Sequence, residues 1–169
     1  MPESAAISIA SDAFGRIQEL VEQVTDGLTD QAARYRPDPQ ANSVAWLVWH
    51  ASRVQDDHIA DAAGTEQVWP RWRDKFGLPF DDLETGYGQS AEEVGKVAVS
   101  ANLLRGYHRE VHEATLRYVQ GLTSEELERV VDDSWDPPVT VAVRLVSVLS
   151  DCLQHLGQAG YVRGLAERR

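Results

Sequence analysis

Asp151 and His155 stand four residues apart in the stretch Leu145–Leu165. On a helix that spacing projects both side chains from one face, where a single ion can take both. The stretch reads as the last long helix, because Val141, Leu145, Val148, Cys152, His155, Ala159 and Val162 recur in steps of four and three. That is the period of a bundle seam, and it places His155 in the seam. An imidazole facing other helices needs a partner, and a carboxylate beside it is costlier still to bury alone. His50, one residue before the seam position Ala51 of an earlier helix, is the best third member. His50, Asp151 and His155 together make two imidazoles and a carboxylate. Such a set suits zinc foremost, with nickel or iron as other candidates, and leaves positions open for water or substrate. An open coordination shell is a catalytic pattern rather than a structural one.

His108 and His112 form a rival pair, also four apart, on a helix face shared with Arg105 and Thr115. From spacing alone that pair is as good, and the shared face implies a helix lining a polar cavity. Other residues read more plainly. Cys152 lies about 100° round the helix from Asp151 and is expected to be a small core residue. Trp46 and Trp49 read as bundle packing. Arg53, Asp56, Asp57 and His58 read as a solvated charged face, with Arg53 close enough to His50 to reach a substrate. The acidic stretch from Glu125 to Asp133 reads as a solvated helix and turn.

The elements that must position these residues are legible from periodicity and punctuation. In the first helix Ile7, Ala10, Phe14, Ile17, Val21, Val24 and Leu28 alternate three and four apart, ending near Gly27 and Thr29-Asp30. Residues 34–40, with Pro37 and Pro39, form a connection. The second helix starts at Asn42 or Ser43 as N-cap and runs to about Ala63, with Gly64 as C-cap. Thr65–Ser90 is the longest irregular part, and loops of that length are functional or disordered. Its aromatics Trp69, Trp72, Phe76, Phe80 and Tyr87 predict an ordered flap over one end of the bundle. Ser90 with Glu93 is a capping-box pair, from which a third helix is expected to run to about Gln120. Leu122–Leu127 reads as a short capped helix, and Asp136-Pro-Pro as a stop before the fourth long one. No strand pattern stands out. The expectation is one all-α domain over residues 1–169, a four-helix bundle with a long ordered loop between helices two and three.

Composition narrows the function classes. At 169 residues the chain can bury a core without staples, and 43% hydrophobic with 25% charged residues is ordinary for a globular protein. A net charge of -11 disfavours nucleic acid and anionic membrane surfaces as partners. No apolar run approaches the ~20 residues of a membrane span. Met-Pro-Glu-Ser-Ala-Ala at the start lacks the basic region and apolar core of a signal peptide, and a single cysteine suits a reducing cytoplasm. Arginine outnumbers lysine 14 to 2, which with many Ala, Val and Asp points to a GC-rich coding bias and a high-GC bacterium.

The segment from Asn42 to Ala60, Asn-Ser-Val-Ala-Trp-Leu-Val-Trp-His-Ala-Ser-Arg-Val-Gln-Asp-Asp-His-Ile-Ala, resembles the second-helix signature of the DinB-like metalloprotein superfamily. Leu78-Pro-Phe with Thr85-Gly-Tyr-Gly resembles the loop of its actinobacterial branch. Trp135-Asp-Pro-Pro-Val-Thr followed by Asp151-x-x-x-His155-x-Gly157-Gln158 resembles that branch's final helix. The resemblance spans nearly the whole chain and implies a bundle holding one divalent metal through a histidine of helix two and a His-x-x-x-His of helix four. Here His50 and His155 match, and Asp151 stands where many relatives have histidine, a departure that bears on the metal's identity. By this mapping His108 and His112 are not ligands but line the cavity as acid/base or substrate contacts. Within the superfamily the chain is most similar to the mycothiol S-transferases. That likeness implies metal-dependent conjugation of mycothiol to electrophilic xenobiotics, a detoxification role, with Arg53, Gln158 and the loop aromatics contacting the sugar part of the thiol. Two alternatives share the same residues: a mycothiol-dependent isomerase, and a metal-binding stress or sensor protein without turnover. Relatives of this fold also pair through helix faces as homodimers.

Overall fold

A computed structural model describes residues 4–169. The opening of the N-terminal segment read above against a signal peptide, Met1–Glu3, lies outside the described residues. Four long helices carry the fold: α1 (Ala5–Thr25), α3 (Val44–Ala63), α6 (Ala101–Gly121) and α8 (Val141–Glu167). Short helices join them: α2 (Asp30–Arg34), α4 (Arg73–Phe76) after a 3₁₀ turn at Trp69–Arg71, α5 (Ala91–Gly95) and α7 (Ser124–Leu127). The most extensive helix contacts are α3 with α8 and α1 with α6, followed by α3 with α6 and α1 with α8. Each long helix thus has two neighbours, and α6 lies across the bundle's diagonal from α8. No helix among the described residues is long and apolar enough to cross a membrane.

Local chemistry sets the helix ends. Ser43 caps α3 by accepting from the Trp46 amide at 3.1 Å, and Gly64 ends it in the left-handed region at φ 65°. The Ser90–Glu93 capping box is present, but it opens the short helix α5; Ser100 caps α6 separately, through the Leu103 amide. The expected third helix is therefore two helices. Thr123 and Glu126 form a second capping box on α7. The acidic stretch ends in a strand that the sequence did not announce: β1 (Val130–Asp132) pairs antiparallel with β2 (Val139–Thr140). Three- and two-residue strands carry too little alternation to stand out. The fourth-helix seam also differs by one residue, because Leu156 fills the buried position and His155 sits half-buried at the seam's edge.

Thr65–Ser90 is ordered, as its aromatics imply. Trp69 and Phe76 are buried and pack on Tyr107 of α6 with ring centroids 5.1 and 5.7 Å away. Burying a side chain such as Phe76 contributes roughly 1.5–3 kcal/mol. The charged face expected on α3 is instead a buried anchor for this loop. Asp56 accepts from the Val68 and Trp69 amides at 2.8 Å each and from the Tyr107 hydroxyl at 2.7 Å. Arg53, with 0% exposure, donates to the Glu84 carbonyl, the Gln67 side chain and Tyr107, and lies 3.6 Å from Asp56. Both ends of the loop are thereby tied to α3 within two turns of His50. Asp57 and His58 remain partly exposed.

Candidate metal centre

Helices α3 and α8 run antiparallel, with His50 facing Asp151 and His155 at one level and His58 facing Arg144 further along. One potential ligand atom from each of His50, Asp151 and His155 lies within 4.8 Å of the others. The three residues would be within reach of a single divalent ion, which takes imidazole nitrogen and carboxylate oxygen as ligands.

Each imidazole is oriented by a backbone carbonyl. His50 donates its Nδ1–H to the Thr85 carbonyl at 2.6 Å, and His155 donates its own to the Asp151 carbonyl at 2.8 Å. Both bonds leave Nε2 as the lone-pair nitrogen, and such a carbonyl contact is what fixes the tautomer of a ligating histidine. Asp151 Oδ2 is buried without a hydrogen bond. The 3.3 Å approach of His155 Nδ1 to it is an ion-pair distance, since that N–H already points at the carbonyl. An orphaned carboxylate oxygen beside two pre-oriented imidazoles fits a divalent cation.

Electrostatics agree. Burial pushes His50 below the usual histidine range, aided by His155 and opposed by the Thr85 bond and Asp151. Burial alone raises Asp151, but His155, His50 and His58 outweigh it and hold the carboxyl low. The adjacent Asp151 carboxylate, with the Asp151 backbone carbonyl, raises His155 against its burial.

Trp46 and the loop wall the site. Its indole stacks on His50 (centroids 4.6 Å, planes 12° apart), lies 6.2 Å from His155 and donates to Gln89. Trp46 is one turn before His50, so its place beside the ring was legible from spacing; its role was not. Gly86 comes so close, at φ 94°, that a Cβ there would lie 2.9 Å from Trp49, 3.0 Å from His50 and 3.2 Å from Trp46. Only a residue without a side chain lets the loop present the Thr85 carbonyl to His50. The triad side opens into a cleft of about 430 Å³ bordered by Val54, Asp57, His58, Thr85, Tyr87 and Ser147.

The other sequence candidates lie elsewhere. His108 is buried between the Gln18 and Gln55 side chains at 2.6 and 3.2 Å, and Gln55 bonds Thr115. This face of α6 is filled by a packed polar network against α1 and α3 rather than lining a cavity at the triad. His112 is half-buried with its Nδ1 unpartnered, and Arg105 bonds the end of α1 at Thr25. Gln158 is exposed on α8 one turn past His155. Arg53, fully buried and bonded to the loop, presents no surface to a substrate, so its reading as a thiol contact is corrected. Burial pushes the Cys152 thiol well up, consistent with a core residue.

A family model described as Mycothiol-S-transferase matches residues 12–167. Among solved structures, the crystal structure of a conserved protein from Enterococcus faecalis superposes with a TM-score of 0.89 at 33% identity. The alignment covers 96% of this chain and 97% of that one. Among curated proteins no relative matches.

Proposed function

The chain belongs to the mycothiol S-transferase family, and we propose that it joins the sulfur of mycothiol to small electrophiles at a divalent ion, zinc foremost, held by His50, Asp151 and His155. The observation that supports this reading is the donor set itself: two imidazoles with Nδ1 engaged by carbonyls beside a buried carboxylate oxygen without a partner. A free thiol, with a pKa of about 8.5, is mostly protonated near neutral pH, and a bound divalent ion supplies the Lewis acidity that favours the thiolate. Two neutral imidazoles and one carboxylate leave a divalent site with one net positive charge, which a thiolate balances.

The chain's own residues orient and exclude. Trp46 and the Thr85–Gly86 backbone keep water from the back of His50, so the site is reached through the cleft. In the transfer the thiol proton leaves to solvent, a sulfur–carbon bond forms, and the carbon's bond to its leaving group breaks. Gln158, exposed one turn past His155, is a further substrate contact, and His108 and His112 act on the fold of the bundle rather than on the thiol.

The test is metal analysis of remetallated protein together with a fluorescent conjugation assay using mycothiol and monochlorobimane. About one ion per chain and turnover are expected for wild type, with both lost in His50→Ala, Asp151→Ala and His155→Ala. Conjugation that survives His50→Ala and exhaustive chelation refutes the reading. Metal without conjugation across a broad electrophile panel moves the assignment to a metal-binding protein without turnover, and maleylpyruvate turnover with mycothiol moves it to an isomerase.

A further inference from the structure

The cleft continues beyond the triad along the α3–α8 groove, and its far arm is built from groups that the proposed chemistry does not use. His58 lies two turns past His50 on α3, facing Arg144, two turns before Asp151 on α8. Arg144 Nη1 is 3.3 Å from His58 Nδ1, and Arg144 Nη2 is 3.4 Å from Asp132. A guanidinium only donates, so His58 Nδ1 accepts and the ring proton sits on Nε2, which makes His58 a donor on the cleft border. The Asp57 carboxylate is 3.9 Å from the same Nδ1, too far to compete. Asp57 Oδ1 accepts from Gln67 at 2.8 Å, which leaves Oδ2 as an acceptor on the cleft border. Across the groove, the Ser147 hydroxyl donates to the Val143 carbonyl at 2.9 Å and keeps its lone pairs for the cleft. Tyr87, 90% exposed between Gly86 and Gly88, offers an uncommitted ring at the rim.

We propose that this arm is the subsite for the uncharged, hydroxyl-rich part of the thiol, with His58 as donor, Asp57 and Ser147 as acceptors and Tyr87 as the flat apolar face. The proposal rests on the reading that the thiol sulfur sits at the triad. Hydroxyl groups each donate and accept, and a wall alternating donor and acceptor beside an aromatic ring satisfies them. Thiols carrying carboxylates are disfavoured by Asp57 in the arm and by the net charge of -11. The arm therefore selects a neutral polyol thiol over a diacidic peptide thiol such as glutathione. Arg144 is a positioning residue: it sets the His58 tautomer and does not touch the ligand.

The experiment is calorimetric binding of mycothiol, N-acetylcysteine as its uncharged methylamide, and glutathione to zinc-loaded protein, wild type beside His58→Phe, His58→Gln and Arg144→Met. Wild type is expected to bind mycothiol more tightly than N-acetylcysteine, which lacks the sugar, and glutathione most weakly. His58→Phe weakens mycothiol about 5- to 10-fold, the worth of one neutral hydrogen bond, and leaves N-acetylcysteine unchanged. His58→Gln, which keeps a donor, restores part of the loss. In Arg144→Met the ¹⁵N imidazole signals of His58 shift from the Nε2–H form towards a tautomer mixture, a change that loss of packing alone does not produce. Equal effects of His58→Phe on mycothiol and N-acetylcysteine, or none on either, overturn the subsite and leave the thiol site standing. Wild type that binds neither thiol overturns both.

Discussion

Replacing Gly86 with alanine isolates what the loop does for the candidate metal centre. The new Cβ meets Trp49 at 2.9 Å, His50 Nδ1 at 3.0 Å and Trp46 at 3.2 Å, all ring atoms of fully packed side chains. None of them can rotate away, so the loop must move outward. The bond at risk is the 2.6 Å contact from His50 to the Thr85 carbonyl, one residue before the substitution. Backbone strain at positive φ adds about 1–2 kcal/mol to the steric cost. Losing the carbonyl that orients a ligating histidine typically costs 10- to 100-fold in metal affinity. Gly88 supplies the control, since it too has positive φ (74°) but a Cβ there meets nothing within 4 Å. Gly88→Ala carries the backbone strain without displacing the loop. Zinc affinity by chelator competition should thus fall at least tenfold in Gly86→Ala and stay within about twofold in Gly88→Ala. The ¹⁵N spectrum of the metal-free protein should show His50 losing its Nδ1–H form in the first variant alone. Equal zinc affinities in the two variants would refute the idea that this carbonyl orients His50.

Three further outcomes follow from the buried polar groups. Asp56→Asn leaves the buried Arg53 cation without its carboxylate; about 3–5 kcal/mol is lost, a fall of roughly 10 °C in a thermal melt, and residues 65–90 become sensitive to limited proteolysis. An unchanged melt and cleavage pattern rules out Asp56 as the loop's anchor. Burial, with His112 beside it, lowers the His108 pKa to about 3. Between that value and the unfolded pKa near 6.5, the unfolded chain binds a proton that the folded chain does not, so stability falls as pH drops through this window. The loss from pH 7.5 to pH 5 is about 2 kcal/mol, and urea titrations of His108→Gln at the two pH values should show a difference smaller by that amount. A difference equal to wild type removes His108 as its source. Cys152→Ala should keep full conjugation activity while losing about 1–2 kcal/mol in the same titrations, because its buried thiol packs and does not react. Loss of activity in a folded variant contradicts that assignment.

The four long helices were legible because their seams recur every three to four residues and their caps are local: Ser43 and Gly64 bracket α3 through contacts within three or four residues. The Ser90–Glu93 box was read correctly as a cap and assigned to the wrong helix. A capping box reports that a helix starts, not how long it runs, and the break before Ser100 has no proline to mark it. His108–His112 and Asp151–His155 have the same spacing, and only the arrangement of helices separates them. Because α6 lies diagonally across from α8, its histidines meet Gln18 and Gln55 on α1 and α3 instead.

Arg53 and Asp56 were misread because charged residues on helices are usually solvated. What buries them is a backbone at Val68, Trp69 and Glu84, 12 to 31 residues away, whose path no local pattern reveals. Their burial has a consequence for the candidate metal centre. Arg53 Nε donates to the Glu84 carbonyl at 3.1 Å, and the next carbonyl along the chain, that of Thr85, accepts from His50. One turn of α3 thus supplies both the candidate ligand and the cation that sets the carbonyl orienting it. Arg53→Met should therefore lower zinc affinity in chelator competition even though Arg53 touches neither metal nor substrate. Arg53→Lys should rescue it poorly, because a single ammonium cannot reach Glu84, Gln67 and Tyr107 together as the planar fork does. Unchanged zinc affinity in a folded Arg53→Met protein would show that Thr85 is positioned by Gly86 and the indoles alone.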